Sequence, residues 1–122
     1  MSQLVPHLLL RTDKGVSQAA PLLRTAGYMV SKIDDDAIFE TLAGASHVDG
    51  IVVELPALRA IALGRRIQTQ HRNVVMLIIA SPVETVRRAL PSVPILSPAQ
   101  TGDDLVSGID LARASRQLRQ TG

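Results

Sequence analysis

Five short stretches of the chain are apolar almost without interruption: residues 7–10, 28–33, 50–53, 74–80 and 93–96. A strand with one wet face alternates polar and apolar positions. A near-continuous run of Val, Ile and Leu instead marks strands covered on both faces, as in a parallel sheet. Between these runs the apolar residues recur three and four apart, the spacing of a helix with one buried side. Leu22 and Leu23 lie in 19–26; Ile38, Phe39, Leu42 and Ala43 in 36–45; Leu58, Ile61, Ala62 and Ile67 in 58–70; Val83, Val86 and Leu90 in 83–90; Leu105, Ile109, Ala112 and Leu118 in 103–120. Strand and helix therefore alternate five times. Parallel neighbours need crossovers, and crossovers are right-handed, so the pattern predicts a doubly wound α/β sandwich.

Local chemistry marks several boundaries. Gly27 follows the first helical stretch, where a left-handed residue ends a helix well. Ser81-Pro82 reads as an N-cap followed by proline in the first helical position. Thr101-Gly-Asp-Asp104 fits a variant capping box with Thr101 as the N-cap. Pro91, Pro94 and Pro98 bracket the fifth strand so closely that it must be short, because proline donates nothing to a ladder. With no internal repeat, low-complexity segment or linker, residues 1–122 are expected to form one domain.

Composition narrows the class. A chain of 122 residues, 46% hydrophobic and 20% charged, lies near the globular average and is large enough to bury a core without staples. It has no cysteine, hence no disulfide and no thiolate site. No apolar run reaches the ~18 residues of a membrane span, and the first residues lack a basic leader region, so a cytoplasmic protein is expected. The net charge is only +2, although eleven of the thirteen basic residues are arginine. Tyr28 and Phe39 are the only aromatics, too few for a base-stacking platform, and no nucleic-acid partner is expected.

Chemistry in an open α/β sheet gathers at the carboxyl ends of the strands. Here those ends read Arg11-Thr12-Asp13, Glu54-Leu55-Pro56, Ile79-Ala80-Ser81 and Ser97-Pro98. Neither a G-x-G-x-x-G nor a Walker loop occurs, which argues against nucleotide cofactors held in those ways. The run Asp49-Gly-Ile-Val-Val-Glu54-Leu-Pro56, with Ala26-Gly27-Tyr28, Val74-Val-Met-Leu77 and Ser97-Pro98 in order around it, resembles a response-regulator receiver (CheY-like) domain over nearly the whole chain. The resemblance implies a flavodoxin/CheY-like (βα)5 fold with strand order 2-1-3-4-5, two helices on one face and three on the other. It also implies four chemical roles, and each is altered here. Glu54 stands where the family has its phospho-accepting aspartate; the extra methylene moves the carboxylate, and a displacement of ~1 Å can cost a hundredfold in rate. Only Asp13 remains for the acidic metal site, beside Arg11. The switch hydroxyl falls at Ile79, and the phosphate-pairing lysine at Ser97. The resemblance is therefore to a degenerate, pseudo-receiver type that lacks phosphotransfer, binds no metal or cofactor and is not an enzyme. Glu54 is either a mimic of the phosphorylated state or a relic.

Other clusters yield plainer expectations. In Asp34-Asp35-Asp36, consecutive carboxylates cannot converge on one ion, and Asp35 or Asp36 is expected to cap the second helix. His7, His47 and His71 fall in three elements without ligand spacing. Arg65-Arg66, Arg87-Arg88 and the row Arg113, Arg116 and Arg119 are expected on solvated helix faces, with an anionic nucleotide such as a cyclic dinucleotide as an alternative partner. The last helix, from about 103, is expected to lead towards a downstream domain, with Leu118 isolated on it. The leading expectation is a signalling module acting by self-association or partner docking. Its face would be the fourth helix, fifth strand and fifth helix: Val83, Arg87, Ala89, Pro94, Ile95, Val106, Ile109 and Arg113. A conventional phosphoacceptor is the competing reading.

Overall fold

The computed structural model describes residues 5–13 and 15–121, with side chains through residue 116. In chain order the elements are β1 (His7–Thr12), α1 (Ala19–Thr25), β2 (Met29–Ile33), α2 (Asp36–Ala43), β3 (Gly50–Glu54), α3 (Ala57–Gln70), β4 (Met76–Ile79), α4 (Val83–Ala89), β5 (Ile95–Leu96), a 3-10 turn (Pro98–Gln100) and α5 (Thr101–Thr121). The five strands form one sheet in the order β2-β1-β3-β4-β5, and every pairing is parallel. This is the doubly wound fold that the apolar runs predict.

Side chains alternate across a strand, so each run splits its residues between two cores. Leu9, Ile51, Val53, Ile78 and Ile95 meet α2, α3 and α4 on one face. Leu8, Leu10, Val52, Leu77 and Ile79 meet α1 and α5 on the other. The phenyl ring of Phe39 is fully buried in the first core. At the amino edge of the sheet, Asp49 accepts the His7 N–H at 2.7 Å and donates its own N–H to the His7 carbonyl at 2.8 Å, tying the start of β1 to the approach to β3.

The helix ends confirm some boundaries and correct others. Gly27 has φ 102°; its N–H reaches the Arg24 carbonyl while the Tyr28 N–H reaches that of Leu23. These paired bonds satisfy the last carbonyls of α1 in a Schellman motif. Asp35 caps α2, accepting the Ile38 N–H at 2.9 Å. Pro82 is not the first residue of α4 but its N-cap, extended at ψ 139° and joined to Ser81 by a cis bond. The box expected at Thr101 lies one turn earlier: Ser97 and Gln100 cap each other across the 3-10 turn, and Thr101 already belongs to α5. Proline at the start of that turn fixes the backbone there, so capping shifts to the residue before it. β5 shrinks to two residues between its prolines.

Candidate functional site at the carboxyl edge of the sheet

The pairing register places Thr12 beside Glu54, and Glu54 beside Ile79, at the carboxyl ends of β1, β3 and β4. Asp13, Glu54, Ile79 and Pro98 line a cavity of about 320 Å3 there, together with Leu55 and Pro56. Three of the expected site positions thus converge. Ser97 does not line the cavity; its backbone N–H is turned to Gln100 Oε1 at 2.9 Å. Ile79 is buried against α1 and α5, which leaves that wall without a hydroxyl.

Strand alternation decides what each polar side chain meets. Arg11 follows Leu10 and shares the face of Leu9, so its side chain runs under the sheet towards the start of α2. It is only 3% exposed, and its guanidinium bridges two carboxylates: Nε donates to Asp36 Oδ1 at 2.6 Å and Nη1 to Asp13 Oδ1 at 2.8 Å. A buried guanidinium needs such partners, because desolvating an unpaired charge costs several kcal/mol. The second oxygen of Asp13 is bound by Arg59 from α3. Arg66 extends the chain of charges, with Nη2 3.7 Å from Asp36 Oδ2 and Nε donating to Glu40 Oε1 at 3.0 Å. Both oxygens of Asp13 are therefore held by arginines.

Glu54 shares the opposite face with Val52 and is 5% exposed. Its Oε1 accepts the Ser17 hydroxyl at 2.6 Å. Ser17 Oγ in turn accepts the Ala19 and Ala20 N–H groups at 3.1 and 3.3 Å. The hydroxyl gives its one proton to Glu54 and its lone pairs to the first turn of α1, so all of its capacity is used. A carboxylate close to a helix amino end is further favoured by the positive end of the helix. Ser17 was not legible as a site residue, because serine before a helix reads simply as a cap. Arg11 appears in the sequence only as a neighbour of Asp13; its burial follows from the face it takes.

The structure redistributes the other clusters. Asp36 serves the Arg11 pair rather than capping α2. Arg87 pairs with Glu84 on its own helix. The rings of His7 and His47 stack with centroids 5.7 Å apart, a meeting the sequence did not suggest. Among the described residues no group of three potential ligands converges on a metal site, and no helix is long and apolar enough to span a membrane. The expected interaction face is corrected at three positions. Ile95 and Ile109 are 7% and 0% exposed and belong to the cores on opposite sides of the sheet. Arg113 lies over the Tyr28 ring, 5.5 Å from its centroid, and donates to the phenol at 3.2 Å. Hence it faces the α1 flank of α5, away from α4. Arg87 and Pro94 are exposed and Val83, Ala89 and Val106 half-buried. Leu118 and Arg119 lie outside the described side chains.

No family model matches the chain, and no curated protein matches it significantly. Solved structures do. A response regulator receiver protein from Sinorhizobium medicae superposes with a TM-score of 0.74 at 19% identity, over 92% of this chain and 97% of that one. NtrX from Brucella abortus, solved in complex with ADP, gives 0.79 at 18% identity, over 97% of this chain and 28% of that one. A de novo designed Rossmann 2x3 protein gives 0.67 at 15% identity, over 88% of this chain and 91% of that one. The shared property is the fold. A designed protein shares it with natural receivers, so function has to be argued from the site.

Proposed function

We propose that this chain is a receiver-like signalling domain of the pseudo-receiver type, which is not switched by phosphorylation and acts through contact with protein. The observation that carries the reading is the double arginine clamp on Asp13. A receiver's Mg2+ needs about six oxygen ligands in a near-octahedral shell. In this pocket the one carboxylate at the end of β1 has both oxygens bonded to guanidinium groups, and Arg11 is a fixed buried cation. The donor set does not fit the ion. Glu54 supports the same conclusion from the other side: its carboxylate is a partner of the Ser17 hydroxyl and, through it, part of the α1 cap. That role favours the relic over the mimic of a phosphorylated state. In this reading the domain has no catalytic role and works in the cytoplasm with a protein partner, foremost a second copy of itself.

Acetyl phosphate with Mg2+ in the low millimolar range should leave the intact mass unchanged, and beryllofluoride with Mg2+ should leave the amide NMR spectrum unchanged. A stable gain of one phosphoryl group, lost in Glu54→Ala or Asp13→Ala, would overturn the proposal.

A further inference from the structure

The amino edge of the sheet carries a second set of cavities, far from the Asp13 pocket. One, of about 280 Å3, lies between the α2–β3 loop and the α3–β4 turn and is walled by Ser46, His71, Arg72, Asn73 and, from α5, Arg116. The other, of about 300 Å3, continues along α5 and is floored by Val75, Met76, Val93, Pro94, Leu111 and Ala112. The two share His71, Arg72 and Val74 as a common wall. The result is a cleft with a cationic chamber at one end and an apolar chamber at the other, each near the lower size limit of small-molecule sites.

Three observations give this cleft a ligand chemistry. First, no carboxylate lines either chamber among the described residues. Second, the two arginines of the cleft, Arg72 and Arg116, are not ion-paired among the described residues. Arg11, Arg59, Arg66 and Arg87 are neutralised by carboxylates and Arg113 donates to the Tyr28 phenol, whereas Arg72 and Arg116, like Arg24, Arg65 and Arg88, have no carboxylate partner among the described residues. Third, Arg116 Nε is buried without a hydrogen-bond partner. A buried donor left unpaired carries its full desolvation cost, and an anion in the chamber would remove it. His71 is fixed in the shared wall: its Nε2 is turned to the Glu40 carbonyl at 3.0 Å, and its ring is wedged against Gly44, where a Cβ would stand 2.4 Å away.

We propose that this cleft binds a small phosphomonoester with an apolar body, the phosphate between Arg72 and Arg116 and the body along α5. Two guanidinium groups match a dianion in charge, and their planar forks match the phosphate oxygens. Leu111, 69% exposed at the rim of the apolar chamber, gains a partner when the body is seated. Unlike the pocket at the carboxyl edge, which Asp13 and Glu54 line, this cleft presents no carboxylate to an entering anion among the described residues.

Phenyl phosphate is a minimal probe, with inorganic phosphate and phenol as its two halves. Titration followed by amide and arginine Nε NMR should saturate with phenyl phosphate and shift Gly108, Ala112 and both arginines. Inorganic phosphate should bind at least about tenfold more weakly, and phenol should not saturate. Arg72→Gln and Arg116→Gln should each weaken phenyl phosphate by about tenfold or more, and added salt should weaken the wild type. Arg72 is exposed, so its variant tests the site even if Arg116→Gln disturbs folding. Absence of saturation at millimolar probe, equal affinity for phosphate and phenyl phosphate, shifts centred on the Asp13 pocket, or an unchanged affinity in Arg72→Gln would each overturn the assignment.

Discussion

At the scale of single residues, what a polar group does in this molecule depends on which face of its strand it occupies. Arg11 and Glu54 end adjacent strands and would form a natural pair, yet alternation sends the guanidinium towards α2 and the carboxylate towards α1. Tyr28 shows the same dependence in a form that can be titrated. Its phenol is buried between β2 and α5, hydrogen-bonded to Asp110 and faced by Arg113. Burial, and next the hydrogen bond to Asp110, raise its pKa above the ordinary 10.0; Arg113 opposes them. A raised folded-state value means that the neutral phenol stabilises the fold. The contribution is fully present below pH 10 and is lost as pH rises through the folded value. Since the chain has one tyrosine and no tryptophan, near-ultraviolet absorbance reads this group alone. The alkaline transition should lie higher in the native protein than in denaturant, lower again in Asp110→Asn, and higher still in Arg113→Met. Coincident native and denatured transitions would remove Tyr28 from the core.

At the scale of elements, turn chemistry decides where each helix stops, and glycine reports it. Gly27 needs its positive φ of 102°, and nothing lies within 4 Å of a Cβ built there, so any cost of Gly27→Ala is backbone strain alone. That substitution should cost about 1–2 kcal/mol and lower the melting temperature by roughly 4–8 °C. Gly102 has equally open surroundings but sits in the first turn of α5. There Gly102→Ala should be neutral or stabilising by about 0.4–1 kcal/mol. Thermal unfolding of the two variants gives the comparison, and equal effects would refute the Schellman assignment. The same local chemistry explains how much of the fold the sequence carries. Near-continuous apolar runs this short and rich in Val and Ile favour doubly covered strands, so the parallel sheet and its helices are legible without coordinates. Cap positions are less so, because Thr101 and Ser97 both satisfy the pattern and only the proline after Ser97 selects between them. Of the candidate site, Asp13, Glu54 and Ile79 were legible from their strand ends. The arginine clamp was not: Arg59 reaches Asp13 from the first turns of α3, and no sequence spacing encodes that distance.

At the scale of the whole molecule, a parallel sheet leaves different opportunities at its two rims and along its flank. The carboxyl rim holds the pocket with the ion-paired Asp13, the amino rim carries the cationic cleft, and the flank ends in a two-residue strand, β5, beside α4 and α5. Burial of Ile95 and Ile109 redraws that flank. In a strand as short as β5, apolar character does not say that Ile95 is core rather than surface, whereas Ile109 follows the apolar spacing of α5 and lies on its buried side. Of the proposed face, Arg87 and Pro94 are exposed and Val83, Ala89 and Val106 half-buried; in the proposed reading these apolar residues supply the interface centre and arginine its rim. Two copies related by a two-fold axis would bury the same patch on both sides. Arg87 is held by Glu84 on its own helix, so its loss should weaken association less than a charge placed at the apolar centre. Sedimentation should then show a concentration-dependent dimer in the wild type. Val106→Glu should weaken it by about tenfold or more, Arg87→Ala by less, and Asp13→Asn in the clamped pocket should leave it unchanged. Ile95→Glu would instead unfold the domain, since a carboxylate placed in the core has no partner there. A wild type that stays monomeric at high concentration, or a dimer that responds to Asp13→Asn and not to Val106→Glu, would place the working surface elsewhere than on this flank.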